Sequence, residues 1–301
     1  MLHNDKEEFI KLINSTAMHT GFLPIKLEKD YYLTLVLSKI QNLSPNLVFK
    51  GGTCLNKIYF DYHRLSEDLD FSLEFRQPTK PERKAGISPR KVVLKKIEND
   101  MSAFAEQFQL KFIELTKRDG SRQHNYQLGF ISAATQKEET IKFEIRAREN
   151  SIISNPIIKE ASHKFIHQFT QKPLIPFPKV KVYPLKELLA DKLAACINRY
   201  APRDFYDIIA AIDNKFNFAD ADFINLFKAK LQDDGNDTDI KKYVNNLGLP
   251  QEVINSVKEK ISSELYPVLS LSEQKNFNFP DILNKINSTI EKMLNVFNIN
   301  R

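Results

Sequence analysis

The sequence contains little cysteine and no long apolar run. Its two cysteines, Cys54 and Cys196, lie far apart and match neither a metal-ligand spacing nor a disulfide framework. Such usage is typical of a reducing cytoplasm. No apolar run reaches the roughly 20 residues that a membrane-spanning helix needs, and the polar N-terminal segment MLHNDKEEF does not resemble a signal peptide. We therefore expect a cytoplasmic protein with no membrane partner.

The composition is that of an ordinary globular protein with a basic charge balance. The 301 residues carry a net charge of +6, which favours a polyanionic partner such as a nucleic acid or a nucleotide. A lysine-rich surface that only keeps the protein soluble would give the same balance, so charge alone does not decide between them. The length allows one large domain or two modest ones.

Hydrophobic periodicity divides the chain into a mixed first part and a helical second part. We predict helices at 4–18, 24–41, 53–62, 89–107, 185–199 and 203–214. We predict strands at 47–49, 69–75, 110–116, 124–131 and 140–147, and a polar loop at 77–86. An irregular proline-rich stretch with short strand candidates fills 155–184, and the chain after 214 is mostly helical. This order indicates an α+β fold, with one domain at 1–184 and a helical C-terminal domain at 185–301.

A double glycine lies between a predicted strand and a predicted helix. Gly51 and Gly52 permit close approach of the backbone to a ligand and positive φ angles. Amides at the start of the following helix favour a bound anion such as a triphosphate, and Thr53 can add a hydroxyl contact or cap the helix. A tight turn without any ligand would show the same residues.

Two acidic residues begin the predicted strand that follows. Asp68 and Asp70 are two residues apart, so strand alternation places both carboxylates on one face while Leu69 points to the core. Neighbouring carboxylates repel each other unless a cation lies between them. Hard oxygen ligands of this kind suit Mg²⁺, which also binds substrate phosphates. A solvated acidic strand end is the alternative.

A third acid lies on a later strand. In the KFEIR segment, Glu144 shares a face with Lys142 and Arg146. A third carboxylate would complete a two-metal site that clamps the attacking and leaving oxygens of an in-line displacement. Glu144 would help to hold the metal near the attacking hydroxyl and accept its proton. A half-exposed strand with paired charges is the alternative interpretation.

The segment LKELLADKLAACINRYAPRDFYDI concentrates charges around a break at Pro202. Lys192 and an arginine such as Arg203 can neutralise phosphate oxygens during group transfer. The same charges can instead form ion pairs between two helices, with Asp204 or Asp207 as the acidic partner. The sequence leaves both interpretations open.

The order of these motifs resembles the polymerase-beta nucleotidyltransferase superfamily. Within it, the chain is most similar to the AbiEii/AbiGii toxin family, which has MenT toxins as relatives. The likeness covers roughly residues 25–215 and is carried by the segments VFKGGTCLNKIY, RLSEDLDFSL, IKFEIR and LADKLAACINRYAPRDFYDI.

The resemblance implies a fold and an activity. The expected fold is a nucleotidyltransferase core, built as a mixed sheet with flanking helices, plus a helical C-terminal domain. The expected protein is the toxin of a bacterial type IV-like toxin–antitoxin or abortive-infection system. Relatives transfer a nucleotide from an NTP, in some cases to the 3′ end of tRNA, which blocks translation. NTP, tRNA and a cognate antitoxin are the implied partners, and Mg²⁺, with Mn²⁺ as the alternative, is the implied cofactor.

The resemblance also assigns roles to individual residues. Metal binding falls to Asp68, Asp70 and, with a longer side chain than the usual aspartate, Glu144. Catalytic roles extend to Lys192, Asp204 and Asp207. The nucleotide is expected to contact Gly51, Gly52, Thr53, Lys57, Ser66, Lys192 and Arg203.

Two other functions use the same motifs. A degenerate member would bind an NTP or a protein partner without turnover, although the intact pair of Asp68 and Asp70 argues against degeneracy. A second group of transferases would modify a protein hydroxyl or a small molecule. Labelled NTPs distinguish these cases, because the label follows the acceptor.

Overall fold

A computed structural model describes residues 1–149, 151–167 and 169–299 of the chain. The chain forms two compact units. The first comprises residues 1–58 and 65–183, and the second comprises residues 59–64 and 184–301. The short segment 59–64 therefore groups with the C-terminal helices, although residues 59–62 fall within the helix predicted at 53–62. None of the helices in the described ranges is long and apolar enough to cross a membrane.

The first unit contains a seven-stranded mixed sheet with flanking helices. Its helices are α1 (Lys6–Thr20), α2 (Pro24–Leu43), α3 (Gly51–Cys54), α4 (Lys80–Lys84) and α5 (Pro89–Glu106). Its strands are β1 (Leu47–Lys50), β2 (Asp68–Leu73), β3 (Lys111–Arg118), β4 (Gln123–Ile131), β5 (Glu138–Arg146), β6 (Ile157–Glu160) and β7 (Lys179–Val182). The strand order is β3-β4-β5-β2-β1-β7-β6, in which β2 and β5 are parallel. The predicted α+β fold is confirmed.

One face of the sheet is apolar because its strands alternate. Leu69 and Phe71 of β2 are buried beside Phe143 and Ile145 of β5. The Phe71 ring stacks on Phe143 at a centroid distance of 4.8 Å, a geometry that adds to the stabilisation from burial. Truncating such a buried ring to alanine typically costs about 3–5 kcal/mol. The opposite face of β2 is left with Asp68 and Asp70.

Helix α2 is buried along most of residues 27–37, which its dense apolar sequence only partly predicts. Two acids on it, Glu28 and Asp30, are fully buried. The Glu28 carboxylate accepts hydrogen bonds from the Ser132 hydroxyl and the Ala133 amide, both at 2.6 Å. Since buried charges are costly without partners, these bonds explain how acidic residues are tolerated inside the unit.

The second unit is helical. It contains α6 (Leu185–Asn198), α7 (Pro202–Asp213), α8 (Ala221–Asp233), α9 (Gln251–Lys260), α10 (Leu271–Asn276) and α11 (Phe279–Ile299). Pro202 starts α7, where its missing amide hydrogen is not needed. Buried Lys230 of α8 pairs with Glu187 at 2.7 Å and with Asp191 at 3.0 Å on α6, so an ion pair joins these two helices.

Three predicted elements differ from the structure. The helix expected at 53–62 begins at Gly51 and continues as a π-helical turn, Leu55–Tyr59. It ends there because Asp61 and Tyr62 have positive φ angles of 39° and 66°, which interrupt a right-handed helix. The predicted loop at 77–86 contains α4, which Thr79 starts with a capping box. The strand expected at 69–75 runs from Asp68 to Leu73.

Candidate active site

The double-glycine turn contacts one of the two predicted metal-binding acids. Gly51 has a φ of +77°, and a Cβ atom added to it would lie 2.2 Å from Oδ2 of Asp70. Side chains are therefore excluded at this position both by the left-handed backbone and by the neighbouring carboxylate. Gly52, the next residue, is buried as the second residue of α3. The turn and the acidic strand form one local structure.

Thr53 fixes the start of α3 to the strand that carries the acids. Its side chain is fully buried, and its hydroxyl donates a hydrogen bond of 2.5 Å to the backbone carbonyl of Asp68. This hydroxyl therefore positions Asp68, a role different from the predicted contact with a nucleotide.

The register of the sheet brings the acids and their charged neighbours into rows. Asp70 on β2 lies opposite Glu144 on β5, and on its other side it lies opposite Lys50 on β1. Asn125 of β4 extends this row beyond Glu144. Since neighbouring strands lie about 4.8 Å apart, Asp70 and Glu144 are next to each other on one face of the sheet. Asp68 shares that face, two residues earlier on the same strand.

Glu144 is held by basic residues of its own strand. Its carboxylate accepts a bond of 2.7 Å from Arg146 and pairs with Lys142 at 3.2 Å. Burial would raise the pKa of Glu144, but Arg146 and Lys142 outweigh burial and the pKa is lowered. Glu144 is therefore an ionised carboxylate with cationic partners, which makes it a weak proton acceptor.

The three predicted acids do not form a ready-made metal site. In the described part of the chain, no three side chains of histidine, cysteine, aspartate or glutamate are arranged to hold a metal ion. The predicted convergence of Asp68, Asp70 and Glu144 on a metal is therefore not seen. The donor set of Asp68 and Asp70 still fits Mg²⁺, because this ion is commonly bound by one or two carboxylates, substrate phosphates and waters. Both side chains are half-buried on the polar face.

Lys57 lies in the core of the first unit. Its ammonium group pairs with Asp30 at 2.7 Å and donates to the Thr34 hydroxyl at 2.9 Å, and neither member of the ion pair is exposed. Burial lowers the pKa of Lys57, and Asp30 opposes that shift. The position of Lys57 argues against its predicted contact with a nucleotide. Ser66, the other residue predicted there, is buried just before β2.

The predicted catalytic residues of the second unit form a buried charge cluster. The Lys192 ammonium contacts Asp204 at 2.6 Å and Asp207 at 2.8 Å. Arg64 binds Asp207 with two hydrogen bonds, from Nε at 2.7 Å and from Nη2 at 2.8 Å. His63 also contacts Asp207, at 2.7 Å. We call these five residues the Asp207 cluster.

Ionisation of the Asp207 cluster follows from its paired charges. Burial would raise the pKa of Asp207, but Arg64 and Lys192 hold it well below its usual range. Burial would lower the pKa of Lys192, and the two aspartates raise it instead. Asp207, Arg64 and Lys192 are therefore charged, and removing any of the three would leave a buried charge without its partner. Arg203, predicted to contact phosphate, donates from Nε to the carbonyl of Glu264 at 2.5 Å.

Three residues at these sites had no predicted role. His63 and Arg64 belong to the Asp207 cluster, and no local pattern connects them with a helix that begins at residue 202. Lys50 faces Asp70 in the register and lies 5.5 Å from the centre of the Tyr183 ring. The sequence signal for Lys50 was its position directly before the double glycine, at the end of a strand whose other residues are buried.

Two solved structures share this fold. MenT4, a nucleotidyltransferase toxin from Mycobacterium tuberculosis H37Rv, aligns with a TM-score of 0.61 and 16% identity, over 94% of this chain and 89% of that chain. JHP933 from Helicobacter pylori aligns with a TM-score of 0.53 and 14% identity, over 93% of this chain and 96% of that chain. Identities this low show similarity of fold alone. No curated protein sequence matches the chain.

A comparison of the amino-acid sequence with family profiles identifies the family. The profile described as "Nucleotidyl transferase AbiEii toxin, Type IV TA system" matches residues 35–292. This range includes the double glycine, the acidic strand and the Asp207 cluster, so the match does not depend on one short motif. The chain belongs to the AbiEii family of nucleotidyltransferase toxins from type IV toxin–antitoxin systems.

Proposed function

We propose that this nucleotidyltransferase transfers a nucleotidyl group from an NTP to the 3′ end of an RNA, with tRNA as the acceptor, and needs Mg²⁺ to do so. The observation that carries the proposal is the contact between Asp70 and the Gly51 turn, with Asp68 on the same face of β2. The glycine turn lets the backbone approach Asp70 closely, and the two carboxylates beside it provide ligands for the metal of a triphosphate.

The chemistry is an in-line displacement at the α-phosphorus of the NTP. The 3′-hydroxyl of the acceptor forms the new P–O bond, the bond to the bridging oxygen of the β-phosphate breaks, and pyrophosphate leaves. The hydroxyl proton passes to solvent, since the ion pairs of Glu144 make it a poor base. The metal, when bound, supplies positive charge that stabilises the attacking and leaving oxygens.

Different residues of the first unit bind the metal, line the phosphate site and position these groups. In the proposal, Asp68 and Asp70 hold the metal, and the backbone of Gly51 and Gly52 lines the phosphate site. Thr53 keeps Asp68 in place through its bond to the backbone. Glu144 is held by Arg146, so we assign it to ordering the cations beside Asp70 and not to a first metal contact.

The Asp207 cluster has a supporting role in this proposal. The prediction that Lys192 contacts a phosphate requires an ammonium group that can reach a ligand. In the structure that group is engaged by Asp204 and Asp207. We therefore propose that Lys192, Asp204 and Asp207 support activity by ordering the start of α7, and that Arg203 does so through Glu264.

The experiment follows the label from NTP to acceptor. The protein is incubated with Mg²⁺, total bacterial tRNA and each of the four α-labelled NTPs, beside the Asp70→Asn variant. We expect one NTP to label tRNA with the wild-type protein and a loss of at least about a hundredfold in the variant. Glu138→Gln is the control, because it removes one exposed carboxylate from β5, at the far end from Arg146.

The other acceptors give different results in the same experiment. Label on the protein, or on a small molecule in place of tRNA, would contradict an RNA acceptor. Equal labelling of tRNA by the wild-type protein and by Asp70→Asn would contradict the proposed site. Because the family belongs to toxin–antitoxin systems, we also propose that a cognate antitoxin protein suppresses this activity in the cell.

A further inference from the structure

An arginine-rich pocket lies where β2 ends. This cavity of about 400 Å³ is lined by four arginines, Arg76, Arg83, Arg90 and Arg122, and by one acid, Glu149. We call it the arginine pocket. The lining therefore carries more positive than negative charge, which favours an anion.

Several of these charges have no acidic partner. Among the described residues, neither Arg83 nor Arg90 forms an ion pair, and Arg122 lies only at 4.0 Å from Asp119. Nε of Arg90 is buried and has no hydrogen-bond partner. Arg76 differs, because it is paired with Glu82 at 2.5 Å. A buried donor without an acceptor is costly unless a ligand supplies one, so Nε of Arg90 is available to a ligand.

The N-terminus of a long helix also faces this cavity. Ser88 and Pro89, which start the 18-residue helix α5, line the arginine pocket together with Arg90. Helix N-termini attract anions because their amide groups and the helix dipole present positive charge. The N-terminus of α5 therefore adds to the preference for an anion that arises from the arginines.

In the plane of the sheet, the arginine pocket lies beyond the C-terminal end of β2, and the proposed catalytic acids lie at the N-terminal end of that strand. Asn125 lies in the same row as Asp70, two strands away, and Arg122 is three residues from Asn125 on the same chain. At about 3.3 Å per residue and about 4.8 Å per strand, Arg122 is roughly 10 Å along the sheet and roughly 10 Å across it from Asp70.

A second cavity borders the arginine pocket. This second cavity of about 640 Å³ shares Phe75, Arg76 and Glu149 with the arginine pocket, and it adds Glu74 and Arg148, of which Arg148 pairs with Asp119. A ligand that occupies both cavities must be extended, and its negative charge would be bound in the arginine pocket. The phosphodiester backbone of a nucleic-acid strand has both properties, and arginine binds phosphate oxygens with two hydrogen bonds.

We propose that the arginine pocket binds backbone phosphates of the RNA strand whose 3′ end lies at Asp70. This inference rests on the proposed function for the position of the strand's end. It adds a site that selects a polyanionic strand over a single nucleotide as acceptor. Phosphate contacts position a strand without reading its sequence, so the arginine pocket would orient the acceptor and leave base selection to other residues.

Binding of RNA can be measured without catalysis. The probe is a short fluorescein-labelled single-stranded RNA, and its anisotropy is followed as protein is added at several salt concentrations. The variant Arg83→Gln/Arg122→Gln removes two exposed arginines of the pocket. The control Lys111→Gln/Lys137→Gln removes two exposed lysines from the opposite ends of the same strands. Circular dichroism checks that each variant is folded.

We expect the pocket variant to bind the RNA at least about tenfold more weakly than the wild-type protein. The slope of log K against log salt should become shallower by about 1.4, since each phosphate contact on a single strand contributes about 0.7. The control should bind within about twofold of the wild-type protein. Equal losses in both variants would overturn the inference, because they would show only a loss of overall charge.

Two further measurements separate this inference from the proposed function. If the pocket variant loses ATP binding and keeps RNA binding, the pocket serves the nucleotide and the inference is wrong. If Asp70→Asn abolishes transfer and the pocket variant still binds RNA normally, the inference about the arginine pocket is wrong and the proposed catalytic site is retained. If Asp70→Asn transfers normally and the pocket variant loses RNA binding, the proposed catalytic site fails and the arginine pocket stands.

Discussion

The backbone of Gly51 lies against the side chain of Asp70, so closely that a Cβ atom on Gly51 would come within 2.2 Å of Oδ2. This contact couples the shape of the double-glycine turn to the position of a carboxylate on the neighbouring strand. A change in either residue therefore moves the other. The first two predictions concern this pair and the adjacent Asp68.

Gly51→Ala should damage both stability and activity. The substitution forces a side chain into a left-handed backbone, at a cost of about 1–2 kcal/mol, and it also displaces Asp70. We expect transfer to fall at least about a hundredfold, a loss of a size that displacement of a catalytic group produces. Gly86→Ala is the matched control, because its φ of +69° imposes the same backbone strain with nothing within 4 Å of the added atom. Equal loss of activity in both variants would show that strain alone is responsible.

Asp68→Asn should weaken binding of the metal. Replacing a carboxylate by an amide removes the charge that a hard cation prefers, while the shape of the side chain is kept. We expect the Mg²⁺ concentration for half-maximal transfer to rise at least about tenfold, and excess EDTA should abolish transfer by the wild-type protein. Thermal unfolding should be unchanged or slightly improved, because one of two neighbouring like charges is lost. An unaltered Mg²⁺ requirement would remove Asp68 from the metal site.

Lys192→Met should destabilise the second unit. The substitution leaves the carboxylates of Asp204 and Asp207 buried without one of their cations, which typically costs about 3–5 kcal/mol. Urea unfolding measures this cost, and KM for the NTP shows whether the lysine also contacts phosphate. A large rise in KM with unchanged stability would restore Lys192 as a phosphate ligand. Lys258→Met, at an exposed position of α9, is a control for the loss of a charge.

Lys57→Met should likewise lower stability, by about 3–5 kcal/mol. Its ammonium group is the fully buried partner of Asp30, so its loss leaves an unpaired acid in the core of the first unit. KM for the NTP should stay within about twofold of the wild-type value, the spread expected when no binding contact is removed. A selective rise in KM, without loss of stability, would support the predicted contact of Lys57 with the nucleotide.

Mild acid should destabilise the protein through its buried histidines. Burial lowers the pKa of His63, His124 and His163, and it lowers the pKa of His3 to about 4. Below about pH 6.5, the unfolded chain therefore binds more protons than the folded chain, and the free energy of unfolding falls as the pH falls. Urea unfolding at pH 7 and at about pH 5.5 measures the change.

Histidine variants identify the groups responsible for this pH dependence. His63→Gln should make the free energy of unfolding less dependent on pH, whereas His19→Gln, on the exposed surface of α1, should leave the dependence unaltered. Asp207 acts in a lower range, because its lowered pKa gives stability that is lost only as the pH falls below about 4. A wild-type protein whose stability is constant between pH 7 and 5.5 would contradict the burial of these histidines.

Much of the fold was predictable because it is local. Alternation at Leu69 and Phe71 predicted the apolar face of β2, and the same alternation predicted that Asp68 and Asp70 share the other face. The end of the helix after Gly51 was not predictable, since non-glycine residues with positive φ end it at Asp61 and carry no clear local signal. Helix α4 was missed because its prolines and lysines also suit a loop.

The partners of charged residues were much less predictable. Glu144 and Arg146 were expected to share a face, but their ion pair, which competes with a metal, depends on how deeply the strand is buried. The partner of Arg64 is 143 residues away in sequence. The sequence offered an ion pair between helices as one alternative for Lys192, and only the packing of α7 indicated which acids it contacts.

The amino-acid sequence by itself determined the order of helices and strands, the face on which each acid lies, and the membership in a toxin family. These properties follow from short-range periodicity and from motifs that are contiguous in the chain. Only the tertiary structure decided which cations neutralise which carboxylates, that Lys57 is buried, and that four separate arginines line one pocket. Such contacts depend on the distance and burial of residues far apart in the chain, and both arise only when the chain is folded.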